Sequence, residues 1–344
     1  MKRPPFKIKI VGIGGAGINL INRLKNFGLK VDELRSSSAA EPRRGEGKDE
    51  GEAFIAFAAA RLIESIAIDT DVFCLNSCSA EKKVLLGENI FSGLSSGGNI
   101  NLTAKAANEA KENIKEAIKG SDLIFLALNL GGGVAAGVSP LIAEIAGELK
   151  ILTIAFLTKP FSFEGFFRQK IANLGFHRLK RKVDGFVLIE NDKLPRIIAK
   201  NTSVEDALLL SDKVLFEAIF GIFNISTLKS ILAIDLSDLF EFFKNSGEIL
   251  FSQVKVAGEN WLVDGVNQAI NSSLVDFKIN KAKKILFNIT SKQDLSLAEV
   301  ENAINFVKNL VPKGTKIIFG ASEDNSLSKG EVKITLIATG GHGK

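Results

Sequence analysis

Three stretches of this 344-residue chain carry residue types and spacings that could do chemistry. The first is Gly12-x-Gly14-x-x-Gly17, which directly follows the apolar run from Lys7 to Ile13. Small residues there let the amides of a helix N-terminus approach a phosphate. Alone it fits a dinucleotide fingerprint, with Asp32 or Glu33 near the distance expected of a ribose-binding acid. The second stretch is Gly131-Gly132-Gly133-Val134-Ala135-Ala136-Gly137, placed after the apolar run Leu123–Ala127. Two glycine cradles suit a polyphosphate, and a dinucleotide reading leaves the second one unexplained. The third is Asp235 with Asp238, two carboxylates three residues apart. Such a pair is either two solvated acids at a helix start or the water-orienting element of a phosphoryl transfer, which needs no histidine.

The rest of the composition narrows the chemistry. His177 and His342 are the only histidines, which removes most triad, acid/base and metal chemistry built on imidazole. Cys74 and Cys78 have no second pair and no nearby histidine, so neither a disulfide framework nor a four-ligand zinc site follows; free thiols are expected. The net charge is +5 and the pI about 9.0, but basic residues are interspersed with acidic ones, giving little counterion release, and no nucleic-acid partner is expected. No apolar run reaches about 18 residues, and Met1 to Pro5 leads into a short strand rather than a signal-type segment. A cytoplasmic protein is expected.

Around the motifs, Lys7–Ile13, Ser65–Ile68, Leu123–Ala127, Ile151–Leu157 and Gly185–Ile189 have strand character. They are separated by helical spacing over Ile18–Phe27, Thr103–Lys119 and Ser139–Leu149. This alternation predicts an α/β fold with a mostly parallel, helix-covered sheet. Residues 35–51 turn to Ser, Gly, Pro and mixed charges and predict a flexible insertion; the alanine-rich Ala53–Glu64 predicts a short docking helix. Ser203-Val204-Glu205-Asp206 resembles a capping box and opens a long central helix. Beyond it, Lys284–Thr290, Lys316–Gly320 and Glu331–Ala338 predict strands, and Ser296-Leu297-Ala298-Glu299 is a capping box that starts a helix.

Around the second glycine loop the chain resembles the tubulin/FtsZ superfamily, and the flanking segments are similar to FtsZ nearly letter for letter. These are Thr158-Lys159-Pro160-Phe161-Ser162-Phe163-Glu164-Gly165, Ile189-Glu190-Asn191-Asp192-Lys193-Leu194, Asp69-Thr70-Asp71, Gly93 to Asn99, and Ile234-Asp235-Leu236-Ser237-Asp238. Order and spacing hold from about Lys7 to Gly340. The resemblance implies a Rossmann-type GTPase domain over 1–202 with the 35–64 insertion, a central helix over 203–227, and a smaller C-terminal α/β domain over 228–340. It implies that Gly14, Gly15, Ala16, Gly17, Ile18 and Asn19, with Gly131, Gly132, Gly133, Val134, Ala135, Ala136 and Gly137, hold the phosphates of GTP or GDP. Gly97, Gly98 and Asn99 would line the γ-phosphate end. Glu164 and Arg168 would hold the ribose, and Asn191 and Asp212 would read the guanine edge, where a carboxylate accepts from ring N–H and amino groups. The stacking aromatic of the family falls at Leu208. Asp235 and Asp238 would act on the nucleotide of the next subunit, so head-to-tail homopolymerisation completes the active site. Mg²⁺ would arrive with the nucleotide, with K⁺ as a further ion.

Departures from the pattern are concentrated at the site. The family has Thr, Gly and Thr where this chain has Val134, Ala135 and Ala136, so two hydroxyl donors are absent and a Cβ is added. Ala233 and Asp69 each replace an asparagine, and Phe73 replaces a polar residue. The expected function is that of a filament-forming GTPase of cell or organelle division, localised to the division site. The alternative is a nucleotide-binding, hydrolysis-poor subunit that co-assembles with a conventional FtsZ. FtsZ proteins usually continue into a linker and an adaptor-binding peptide where this sequence stops at Lys344, so either the sequence is truncated or the protein does not recruit those adaptors itself. Division regulators are the other expected partners, with membrane contact only through adaptors.

Overall fold

A computed structural model describes residues 7–26, 63–196, 198–199, 201–227, 230–232, 234–258, 260–271, 275, 277–292 and 295–341. By internal contacts the chain divides into two units, the first running to Ser211 and the second from Asp212 onward.

The first unit is built on six parallel strands: β1 (Ile8–Ile13), β2 (Ile63–Asp69), β3 (Lys82–Leu85), β4 (Leu123–Asn129), β5 (Leu152–Lys159) and β6 (Gly185–Glu190). Their order is β3-β2-β1-β4-β5-β6, so the connection reverses direction between β1 and β4. Helices α1 (Gly14–Asn26) and α2 (Val72–Asn76) follow β1 and β2, and α3 (Glu88–Phe91) follows β3. Next come α4 (Ile100–Glu109), α5 (Lys111–Ile118), α6 (Gly133–Glu148) and α7 (Phe166–Leu179). On β2, Ile66 and Ile68 enter one apolar cluster with α4 to α7, while Ala67 enters a second with Ile18, Ile21 and Leu75. Successive side chains of a strand point to opposite faces, so helices cover both sides and the strands read as continuous apolar runs.

One cation interrupts that run. Lys9 is buried on β1, where its Nζ donates to the carbonyls of Ala117 (2.7 Å) and Lys119 (2.9 Å) and pairs with Glu64 at 3.2 Å. It supplies the orphan carbonyls at the end of α5 with donors.

Two expectations change. The single helix foreseen over Thr103–Lys119 breaks at Ala110 (φ −94°, ψ 14°). Asn108 Nδ2 donates back to the Ala104 carbonyl at 2.8 Å, a local side-chain bond of the kind that bends helices. Ile63 and Glu64, assigned to the end of an alanine-rich helix, belong to β2, where Glu64 is held by Lys9 and Lys82; the rest of 35–62, including that helix and the insertion, lies outside the described residues.

The long helix α8 (Val204–Thr227) starts as foreseen, with Asp206 N donating to Ser203 Oγ at 3.0 Å, and the division into units falls within it. The second unit carries β7 (Ser230–Leu232), α9 (Leu236–Phe243), β8 (Gly247–Ala257), α10 (Trp261–Asn271), β9 (Lys284–Ser291), α11 (Leu297–Leu310), β10 (Lys316–Glu323) and β11 (Glu331–Thr339). Its strands run in the order β8-β11-β9-β10-β7, with β9 and β10 parallel and the other pairs antiparallel. Both arms of the Ser296–Glu299 capping box are formed.

Candidate functional site

In open α/β sheets ligands bind beyond the carboxyl ends of the strands at the point where strand order reverses. A cleft of about 460 Å³ opens there in the first unit. Ile13, Gly14, Gly15 and Ala16 line it from β1 and α1; Asn129, Gly131, Gly132, Gly133, Val134 and Ala135 line it from β4 and α6. Asp69 ends β2, and Asp71 and Cys74 follow it; Ser95, Ser96, Gly97 and Gly98 precede α4; Phe167, Arg168 and Ile171 lie on α7.

The starts of α1 and α6 therefore face one space. Each leaves its first amides without intrahelical acceptors and carries the positive end of a helix dipole, which together favour a bound anion. Two groups of glycines stand out. A Cβ at Gly15, Gly97 or Gly132 would meet nothing within 4 Å, so these leave room for a ligand. At Gly12, Gly17, Gly133 and Gly137 a Cβ would strike structure: 2.5 Å from Gly17 O, 2.6 Å from Ala127 O, 2.6 Å from Gly98 C and 2.0 Å from Thr103 Oγ1. These four make the walls fit. Thr103 Oγ1 also donates to Gly133 O at 2.9 Å, tying α4 to the start of α6.

Of the phosphate-loop residues singled out in the sequence, Gly14, Gly15, Ala16, Gly131, Gly132, Gly133, Val134 and Ala135 are brought together, with Gly97, Gly98 and Arg168. Gly17 and Ile18 are buried beneath the first loop, and Asn19 is exposed one turn along α1. Asn99 caps α4, accepting from Leu102 N at 3.1 Å. Ala136 and Gly137 are buried in α6, where a Cβ on Gly175 of α7 would lie 2.8 Å from that of Ala136. Glu164 pairs with Arg168 at 2.6 Å and accepts from Phe161 N at 2.8 Å, so the guanidinium on the cleft wall is held by a fixed carboxylate. Asn191 follows β6 and is 1% exposed, and its Oδ1 finds no hydrogen-bond partner among the described residues. A buried acceptor left unpaired is costly and calls for a donor. Asp212 is half-buried on α8, and Asp235 and Asp238 are exposed at the start of α9; all three belong to the second unit.

Residues outside the predicted set of site residues also reach the cleft. Asn129 Oδ1 accepts from Gly131 N at 2.9 Å and shapes the second loop as an Asx turn; an asparagine closing an apolar strand ahead of glycines was the available signal. Phe167 offers an aromatic face beside Gly98, whose φ of 82° and missing Cβ admit the ring. Burial pushes the Asp69 carboxyl above its ordinary value despite the amides of Thr70 and Asp71 on Oδ1, and burial likewise raises the Cys74 thiol. Among the described residues no group of three or more His, Cys, Asp or Glu is placed to hold a metal ion. No described helix is long and apolar enough to cross a membrane.

Two glycine-walled helix starts converging at the switch point of a doubly wound sheet, followed by a second mixed-sheet unit, define an α/β protein with an anion cradle. Residues 7–199 match the family model described as Tubulin/FtsZ family, GTPase domain, and residues 248–342 match that of the FtsZ family, C-terminal domain. The chain belongs to the tubulin/FtsZ family of cytoskeletal GTPases. It is similar to FtsZ of M. jannaschii, solved as an empty dimer, with 32% identity and a TM-score of 0.78 over 98% of this chain and 89% of that one. CetZ2 of Haloferax volcanii, solved as a GTPγS-bound protofilament, shares the fold at 18% identity and a TM-score of 0.76, over 98% of this chain and 94% of that one.

Proposed function

We propose that the chain binds GTP in this cleft, assembles head-to-tail with copies of itself, and hydrolyses the nucleotide with Asp235 and Asp238 of the neighbouring copy. The convergence of the α1 and α6 N-termini on one cleft carries the reading. Asn191, buried just after β6 and not on the cleft wall, supports guanine as the base only if its unpaired Oδ1 turns toward the cleft to accept from the base N–H groups. Protofilament formation by a protein of the same fold supports assembly. So do the exposed Phe73, Leu94, Phe163, Phe166 and Phe167, all in the segments that line or adjoin the cleft, since an apolar rim of this kind marks an interaction face and here surrounds the site the neighbour would complete.

The backbone amides bind and orient the phosphates, Arg168 offers its charge to the ribose side, and the apolar rim excludes water once covered. The two carboxylates orient the attacking water and take up its proton. Mg²⁺ bound with the nucleotide would neutralise phosphate charge; Asp69 and Asp71 are the carboxylates that line the cleft, and their Oδ1 atoms already accept backbone amides. We assign the filament a role in cell or organelle division.

The buried, hydroxyl-free Val134-Ala135-Ala136 run favours a second reading, a subunit that holds nucleotide but turns it over slowly beside a conventional FtsZ. GTPase assays over a range of protein concentrations separate the two. Specific activity that rises above a critical concentration, and falls about 10²- to 10⁴-fold in Asp238→Ala, supports the first. Tight GTP binding with flat, negligible turnover supports the second, and absence of GTP binding removes both.

A further inference from the structure

The helix that presents Asp235 and Asp238 is short, only eight residues from Leu236 to Phe243, and an isolated helix of that length does not hold its own geometry in water. The N-cap is Asp235, whose side chain makes no capping hydrogen bond; it is left exposed, as is Asp238 in the first turn. An N-cap aspartate ordinarily spends its carboxylate on the N2 or N3 amide. The direction of these two carboxylates must therefore be set by whatever fixes the body of α9.

Contacts within the second unit do so. Ile234, buried just ahead of the N-cap, packs on Gly320 of β10: a Cβ there would lie 2.7 Å from Ile234 Cδ1 and 2.4 Å from Asn288 Oδ1. Leu239, Phe242 and Phe243 are buried, the last two edge-to-face at 5.1 Å. At the far end, Lys284 extends its Nζ from the first position of β9 to the carbonyls of Glu241 (2.9 Å), Phe242 (3.1 Å) and Lys244 (3.2 Å). An ammonium has three donors, and here all three go to the last turn of one helix, where the carbonyls lack intrahelical partners and the dipole is negative. Lys316, paired with Lys284 in the β9–β10 register, bonds the Glu241 carboxylate at 2.9 Å on the same turn.

We propose that Lys284 is a positioning residue for hydrolysis: by tying the C-terminal turn of α9 to β9, it fixes the axis along which Asp235 and Asp238 are presented. This rests on the reading that these carboxylates act on GTP. A misplacement of about 1 Å at a reacting group can slow a reaction about a hundredfold, so a loosened α9 slows turnover without touching the nucleotide cleft.

The test uses the full chain as Lys284→Met, Lys284→Arg, Asp238→Ala and the Lys284→Met/Asp238→Ala double variant. GTP affinity is measured by fluorescence titration, and turnover per assembled subunit at saturating GTP from the pelleted fraction. The expected result is a tenfold to hundredfold loss of turnover in Lys284→Met with affinity unchanged. Lys284→Arg, which keeps several donors, restores most of it, and Lys284→Met adds no further loss once Asp238 is gone. Asp238→Ala inactive with Lys284→Met as fast as the parent overturns the positioning role alone. Losses that add fully in the double variant, or a fall in GTP affinity matching the fall in turnover, overturn it as well. Full activity in Asp238→Ala, or no turnover in the parent, removes the hydrolytic reading and this inference with it.

Discussion

At the cleft, the groups offered to a ligand are mainly backbone amides, held by glycines that let α1 close on β1 and β4, and α6 close on α4 and the loop before it. At the start of α9, they are carboxylates, held by side chains that arrive from β9 and β10. The cleft is stiff because its walls are main chain against main chain: a Cβ added at Gly12 or Gly17 would lie only 2.5 Å from Gly17 O or 2.6 Å from Ala127 O. The α9 mount is adjustable because its fixing points are a long ammonium side chain and a packed isoleucine. Backbone-built binding tolerates change in the side chains above it, which is how Val134, Ala135 and Ala136 can occupy the second loop while the cradle remains. Catalysis that rests on side chains, as proposed for Asp235 and Asp238, does not have that latitude.

The comparison breaks most visibly if the walls themselves are altered. Gly17→Ala places a methyl against Ala127 O and the Gly12 backbone, with no flexible atom to give way. We expect a loss of about 1–3 kcal/mol in stability with collapse of GTP affinity, checked by thermal unfolding and nucleotide titration. Gly15→Ala, whose Cβ meets nothing within 4 Å, is expected to leave the melting temperature unchanged while still weakening nucleotide binding. A gain sharpens the same contrast. Val134→Thr is nearly isosteric and adds a hydroxyl at the cleft wall; a hydrogen bond to a charged group contributes about 1.5–3 kcal/mol, so GTP affinity or turnover is expected to rise about tenfold. An unchanged pair of constants means that the second loop binds through its amides alone.

The smallest effect lies in the pH dependence of stability, and its sign differs between the two units. Burial raises the folded-state carboxyl of Asp69, so its favourable contribution is complete only below the unfolded-state carboxylate range and is lost as pH rises through the raised value. Asp69→Asn, which can still accept from Thr70 and Asp71, is expected to raise the melting temperature at neutral pH and to lose that advantage on acidification. Burial also pushes Asp324 in the second unit upward, but Lys333 at 3.0 Å and Ser326 outweigh it and hold the carboxyl below its ordinary value. Its contribution is present at neutral pH and falls away only as pH drops through that lowered value. Asp324→Asn is therefore expected to be destabilised at neutral pH, with the gap narrowing in acid. Melting curves of both variants between neutral and acid pH check the two signs together.

The parallel sheet, the N-cap at Ser203, the capping box at Ser296 and both glycine loops were readable from local pattern, because periodicity, caps and turn chemistry act over a few residues. That reading named most of the cleft wall. It could not separate glycines that leave room for a ligand from those that let two chain segments touch: Gly15 and Gly17 sit two apart in one motif, and only the partner across the gap, Ala127, distinguishes them. Nor did it anticipate the break at Ala110, β8, or helix α6 starting inside the glycine loop at Gly133 rather than at Ser139.

What the sequence determined by itself is the family, the α/β architecture and the identity of the loops, since each is written in contiguous residues. What only the tertiary structure decided is the state of particular atoms: an Asn191 oxygen left without a donor, an Asp69 carboxyl pushed up by burial, a Lys284 ammonium bonded to carbonyls 40 to 43 positions away. Desolvation and hydrogen-bond partnership depend on distances across the fold, and chain spacing carries no record of them.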